Sequence, residues 1–320
     1  MKIVLAYGFR YLLVNVYFML ALRYLKHPIR RVQMSSFIIL GCGYVGTRLA
    51  GTAQGSGFSV SAMVRTQDSA AALQSNGVSV VKLDLDRDSA AAVSMGGEVL
   101  FYLVPPPASG IKDTRIANFL KNVPEQLPRR LVYLSTTGVY GDCQGDWVDE
   151  KRKPAPGNDR ARRRLDAEQQ FAAFARARGV ELVILRVAGI YGPGRLPRQR
   201  LERGEPVLDD AKAPISNRIH VDDLVQVLIA AGVNPEARGI YNVSDGHPSS
   251  MTDYLSRVAS ILELPQPRRI GLHEMDNEIG AGMRSYLAES RRLDNRRMIQ
   301  QLGVELRYQD LAQGLRASLD

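Results

Sequence analysis

The chain has 320 residues, 45% of them hydrophobic, which is enough for a substantial core and excludes a disordered chain. Only Cys42 and Cys143 occur, outside any CxxC or Cys/His cluster, so neither a disulfide framework nor a structural zinc site has its ligands, no metal site is expected, and a reducing cytoplasm fits best. The formal charge of +9 is concentrated at the start: Lys2, Arg10, Arg23, Lys26, Arg30 and Arg31 precede Met34 with no acid among them, which leaves a body of about +3 and no basic face for nucleic acid.

Residues 1–34 are set apart. Positions 3–22 are mostly apolar but include Arg10 and Asn15, and basic residues follow. Their aliphatic side chains could offset one arginine on an insertion scale, so a membrane anchor is one reading. The preferred one is an upstream extension, with Met34 as an alternative start, because MSSFIILGCG opens like a cytosolic α/β domain.

From residue 37 onward, strand and helix patterns alternate. Apolar runs at 37–40, 59–64, 78–83, 99–104, 131–134 and 182–185 predict strands, separated by helical segments such as 47–54, 88–93 and 161–177. Continuous rather than alternating apolar strands imply a sheet covered on both faces, hence parallel strands joined by helices. The expected fold is α/β, a doubly wound parallel sheet of the Rossmann type over 35–192. Residues 193–320 are expected to form a smaller substrate-side part, with 218–245 returning to the Rossmann domain as strand and helix at 218–231 and strand at 240–243; further helices are expected at 251–262 and 295–302.

Gly41-Cys42-Gly43-Tyr44-Val45-Gly46 is a GxGxxG between a strand and a helix. Its first glycine permits a tight turn, its second lets backbone approach a pyrophosphate, and its third allows helix and strand to pack closely. Where an NAD-preferring site carries an acid, the second strand ends in Arg65, which can pair with a 2′-phosphate, so NADP is expected, with NAD the alternative. Asp84 and Leu85, after the third strand, are candidates for the adenine end.

Four segments, YLSTTGVYG (133–141), LRVAGIYGPG (185–194), RIHVDDL (218–224) and IYNVSDG (240–246), follow in order and spacing. With the glycine loop and the closing RRLDNRRMIQQLGVEL, they resemble the extended short-chain dehydrogenase/reductase superfamily, the NAD-dependent epimerase/dehydratase group, and within it the atypical YeeZ-like branch. That resemblance implies an oxidoreductase acting on a carbonyl or hydroxyl of a small molecule, with a homodimer left open. It places Val104 beside the cofactor, Ala188, Gly189 and Ile190 beside the nicotinamide, and Thr136 where a Ser or Thr polarises the substrate oxygen. Asp222 or Asp223 would fix the C-terminal part, although a cap on the following helix is the preferred role.

The family's Tyr-x-x-x-Lys pair is missing. Aligning Leu165 and Glu168 on its continuation puts Arg160 at the tyrosine and Arg164 at the lysine. Arg164 could still donate to ribose hydroxyls, but Arg160 cannot release a proton at neutral pH. Tyr140 is the expected substitute acid, ahead of Tyr191; His220 is expected to be packed, and Arg162 and Arg163 solvated, with Asp159, Asp166 and Glu168 as their partners. Arg195, Arg198, Arg200 and Arg203 lie in the expected substrate loop and suggest an anionic substrate. The competing reading is a redox-silent sensor of NADP(H).

Overall fold

The computed structural model describes residues 36–89, 95–96 and 98–319. The expectations for residues 1–34 and for most of the helical segment 88–93 lie outside them. Among the described residues no helix is long and apolar enough to cross a membrane.

Seven parallel strands form the central sheet: β1 (Phe37–Leu40), β2 (Val60–Val64), β3 (Ser79–Lys82), β4 (Val99–Tyr102), β5 (Arg130–Thr136), β6 (Glu181–Val187) and β7 (Gly239–Val243). Their order is β7-β6-β5-β4-β1-β2-β3. The order reverses between β1 and β4, and in such sheets the crevice at the carboxyl ends of those strands is where a dinucleotide binds.

Burial on both faces explains the unbroken apolar strands. Phe37, Ile39, Val99 and Phe101 face one hydrophobic cluster, while Ile38, Leu40, Leu100 and Tyr102 face the other. The first is closed by α1 (Tyr44–Gly55) and α6 (Val221–Val233), through residues such as Leu49, Ala53, Leu224 and Leu228. The second is closed by α3 (Thr114–Lys121) and α4 (Asp159–Arg178), through Ile116, Phe119, Ala167 and Phe171. β3 is the exception: it is an edge strand, and Val81 is exposed.

Arg130 opens β5 fully buried, and its guanidinium ends α6. Its Nη1 donates to the carbonyls of Ala231 (3.0 Å), Gly232 (3.1 Å) and Asn234 (2.6 Å), while Nε meets Glu181 at 2.7 Å. A cation at a helix C-terminus satisfies carbonyls that have no intrahelical partner and opposes the negative end of the dipole.

The C-terminal part adds short helices around its own core. These are α5 (Arg198–Glu202), α7 (Met251–Ile261), α8 (Ala281–Leu287), α9 (Arg296–Leu302) and α10 (Leu311–Arg316). Tyr191, Leu201, Tyr254, Leu255, Val258 and Leu315 form that core. Helix α9 instead returns to the sheet, where Met298 and Leu302 join the cluster beneath α6. The tie between the parts is Asp223, which is fully buried and accepts the backbone N–H groups of Arg307 (2.8 Å) and Tyr308 (2.9 Å). The preferred role as a cap is thus corrected for Asp223. His220 caps α6, its Nδ1 accepting from the N–H of Asp222.

Candidate active site and dinucleotide cleft

The glycine loop leaves β1 and enters α1. Gly41 has φ +99°, and a Cβ there would lie 2.9 Å from the backbone nitrogen of Val104; one on Gly46 would lie 2.5 Å from the carbonyl oxygen of Gly41. Both positions are closed to side chains by backbone. Gly43 faces open space, with no atom within 4 Å of a built Cβ. No side chain caps α1 and no acid stands in its first turn. A helix N-terminus in this condition presents amide donors and positive potential, so the loop fits the diphosphate of a dinucleotide.

Two clefts meet at this loop. One, of about 310 Å³, is lined by Gly41, Gly43, Val45 and Gly46 with Leu103, Leu134, Ile190 and Arg195. Tyr44 also borders it, but its hydroxyl donates to the carbonyl of Pro193 (3.0 Å), and the guanidinium groups of Arg48 (4.0 Å) and Arg195 (4.7 Å) both lie over its ring. Arg195 thus lines the glycine-loop cleft as well as the pocket that Arg198, Arg200 and Arg203 line. The other cleft runs past the ends of β2 and β3, where Arg65, Asp84, Leu85 and Val104 line it together. Thr66 caps α2 (Gln67–Gln74) there by accepting from the N–H of Ser69, and Arg115 is held by both oxygens of Asp86 (2.8 and 2.7 Å). That pairing keeps the Asp86 carboxyl below the usual range, and Arg65, exposed, is the second cation among the described residues that line this cleft.

Ile190 connects the loop cleft to a cavity of about 440 Å³ on the substrate side. Thr136, Arg164, Ala188 and Gly189 line it, as do Arg160, Arg218, Tyr286 and Arg291. Thr136 ends β5, and its Oγ1 accepts from the N–H of Gly138 (3.2 Å), so the hydroxyl proton can be donated into the cavity. Arg164 is anchored by the Leu134 carbonyl (3.1 Å) and the Tyr133 hydroxyl (3.3 Å).

Tyr140 is a correction. After Thr136 the chain makes a 3-10 turn over Thr137–Tyr140, which carries the ring inward to Cys143, Val148, Ala188 and Leu293. Its hydroxyl donates to Asn242 Oδ1 at 2.7 Å, the Arg186 guanidinium lies 4.7 Å from its ring, and burial pushes the phenol up to about 12. A phenol so packed and so weakly acidic does not serve the cavity.

Other expectations change with burial. Arg163 is buried rather than solvated and donates to the Gly110 carbonyl; Arg162 is exposed and pairs with Asp159. Glu168 is also buried, gripped by Arg186 (2.7 Å) and accepting from Ser135 Oγ (2.6 Å). Tyr191 is packed against His220 and Tyr254, and His220 is fully buried, as expected. Arg198 and Arg203 pair with Glu202 and Glu205 beside a separate surface pocket, away from the cavity.

Besides Arg160 and Arg164, the cavity holds two cations that the sequence did not single out. Arg218 is buried, held by Ser249 Oγ (2.9 Å) and Ser216 Oγ (3.0 Å) and stacked on Tyr254; Arg291 pairs with Glu289 at 2.8 Å. Behind Arg218 stands Asp245, whose carboxyl burial raises to about 6. Because the folded state holds this proton more tightly than the unfolded chain, the contribution of Asp245 to stability is greatest below about pH 4 and is lost as pH rises through about 6. The displacement from 3.8 corresponds to about 3 kcal/mol. Asp245→Asn, which keeps an acceptor for the N–H of His247, should raise the thermal midpoint at pH 8 and give no gain at pH 4; a pH series of melts checks this.

Fold and loop together define a nicotinamide-dinucleotide-binding protein. A family model described as NAD(P)H-binding matches residues 41–235, and the chain belongs to the extended short-chain dehydrogenase/reductase family of NAD-dependent epimerases and dehydratases. It is 26% identical to Protein YeeZ of Escherichia coli (strain K12) over 288 residues, spanning 87% of this chain and 97% of that protein. A solved structure of a functionally unknown conserved protein from Silicibacter pomeroyi DSS superposes with a TM-score of 0.71 at 29% identity, over 88% of this chain and 97% of that one. The UDP-glucuronic acid 4-epimerase of Bacillus cereus, solved with UDP-glucuronic acid and NAD, shares the fold with a TM-score of 0.70 at 18% identity, over 88% and 97%.

Proposed function

We propose that this chain is an NADP(H)-linked oxidoreductase acting on the carbonyl or hydroxyl group of a small anionic molecule in the cytoplasm. The observation that carries the reading is the continuity of the glycine cleft with a cavity holding Thr136 and Arg164 on one side and Arg218 and Arg291 on the other. A nicotinamide bound there would give a hydride to the substrate carbon or take one from it.

The glycine loop would hold the diphosphate, with Arg195 beside it, and Asp84 and Leu85 would border the adenine. Thr136 would donate its hydroxyl proton to the substrate oxygen. Arg164, already fixed by a carbonyl and a phenol, would offer its remaining N–H groups to ribose hydroxyls. The buried guanidinium of Arg218 would meet a carboxylate or phosphate, because a desolvated cation binds an anion far more strongly than an exposed one does.

Titration of the purified chain with NADPH and NADH, followed by a panel of oxo acids and nucleotide-linked sugars, tests the reading. Cofactor binding with turnover of an anionic compound supports it; binding of both cofactors without any turnover sinks it. The choice of cofactor rests on Arg65. Arg65→Ala should weaken NADPH about tenfold or more and leave NADH unchanged, which parallel fluorescence titrations would show.

A further inference from the structure

The family's tyrosine position holds Arg160, and the structure brings a phenol to it from 126 residues away. Tyr286, in α8, places its hydroxyl 2.5 Å from Arg160 Nη1, and the guanidinium lies 4.4 Å from its ring centre. Both side chains line the cavity that Thr136 and Arg164 also line.

A guanidinium has donors only, so in this pair the Tyr286 oxygen accepts and its own proton stays free to be donated. The segment after α8 is fixed as well. Glu289 accepts from Asn158 Nδ2 (3.2 Å), and Asn158 caps α4, the helix that carries Arg160 and Arg164. Tyr286 and the arginine pair are thus referred to the same helix end. Tyr286 as a residue is 52% exposed, so water reaches this edge of the cavity.

Resting on the oxidoreductase reading above, we infer that Tyr286 is the proton donor of this site and that Arg160 is its positioning residue, a phenol from the C-terminal part replacing the one absent from α4. In the reducing direction the substrate carbon gains the hydride and its C=O π bond opens. The Tyr286 O–H bond breaks and the proton bonds to the substrate oxygen. The phenolate left behind is neutralised by the Arg160 guanidinium until water returns a proton. In the oxidising direction the same oxygen takes the proton back.

The test uses the full chain with NADPH and the panel of carbonyl acids. Tyr286→Phe should lower kcat about 100-fold or more, in the range of a lost general acid, while NADPH affinity and the thermal midpoint stay at parental values. Arg160→Leu should match it, and Arg160→Lys should recover most of the rate. A second readout needs no turnover: the Arg160 guanidinium lies 4.4 Å from the Tyr286 ring centre and shields it, so nitration of that ring by tetranitromethane, mapped by peptide mass, should run faster in Arg160→Leu than in the parent. Parental kcat in Tyr286→Phe, or equal nitration in both chains, overturns the inference. A parent that binds NADPH but turns over nothing sinks the oxidoreductase reading, and the nitration contrast then decides the Arg160–Tyr286 pairing by itself.

Discussion

Gly43→Asp is expected to abolish dinucleotide binding while leaving the protein folded. Nothing in the structure lies within 4 Å of a Cβ at this position, so the substitution meets no atoms of the protein. It does place a carboxylate at the uncapped start of α1, where a diphosphate would lie. One negative charge facing another at about 4 Å costs several kcal/mol in a partly desolvated cleft, equivalent to a loss of affinity of at least about 100-fold. Calorimetry with NADPH should show no heat, and the melting curve should overlay that of the parent. Gly41→Ala is the contrasting variant. Its Cβ would meet the backbone of Val104, and its φ of +99° is strained for alanine, so both stability and binding should fall. If Gly43→Asp retained parental affinity, the diphosphate would have to lie elsewhere and the cofactor assignment would fail with it.

The second large effect is on stability. Glu168 and Arg186 form an ion pair with side chains only 5% and 3% exposed, and Ser135 Oγ donates to the same carboxylate. Removing one partner of such a pair leaves a desolvated charge without compensation, which costs about 3–5 kcal/mol. Glu168→Ala should therefore lower the thermal midpoint by roughly 6–10 °C for a chain of this size. Combining it with Arg186→Met should recover most of that loss, because an apolar pair replaces a buried ion pair at little cost. A double variant as unstable as the single one would mean that the carboxylate acts through Ser135 and the backbone before Thr136, and not through Arg186. Differential scanning calorimetry on the three chains separates the two cases.

The sheet was largely legible because burial on both faces leaves a simple mark: runs such as FIIL and VLFY carry no polar position, and their lengths fit strands. Edge strand β3 was legible only because Val78, Val80 and Val81 are β-branched; its exposure could not be read, since strand order is set by the whole sheet. The glycine loop was legible because each glycine has a separate local reason to be there. The candidate catalytic constellation was not. Tyr140 and Tyr286 look alike in sequence, and what separates them is a 3-10 turn that folds one inward and a seven-residue helix that brings the other to the cavity. The arginines were similarly mute. Arg163 and Arg218 are buried while Arg162 is exposed, and neighbouring charge says little about which way a side chain points. Asp223 was legible as a helix-start acid, but its partners lie 84 and 85 residues downstream.

That last contact links the order of synthesis to the order of folding. The acid at the first turn of α6 is buried, yet the amides it accepts belong to Arg307 and Tyr308, which are made 84 and 85 residues later. Until they arrive, the dinucleotide half holds a carboxylate that must stay hydrated or protonated. A nascent chain consequently has every strand of the central sheet before it has the amides that this acid accepts.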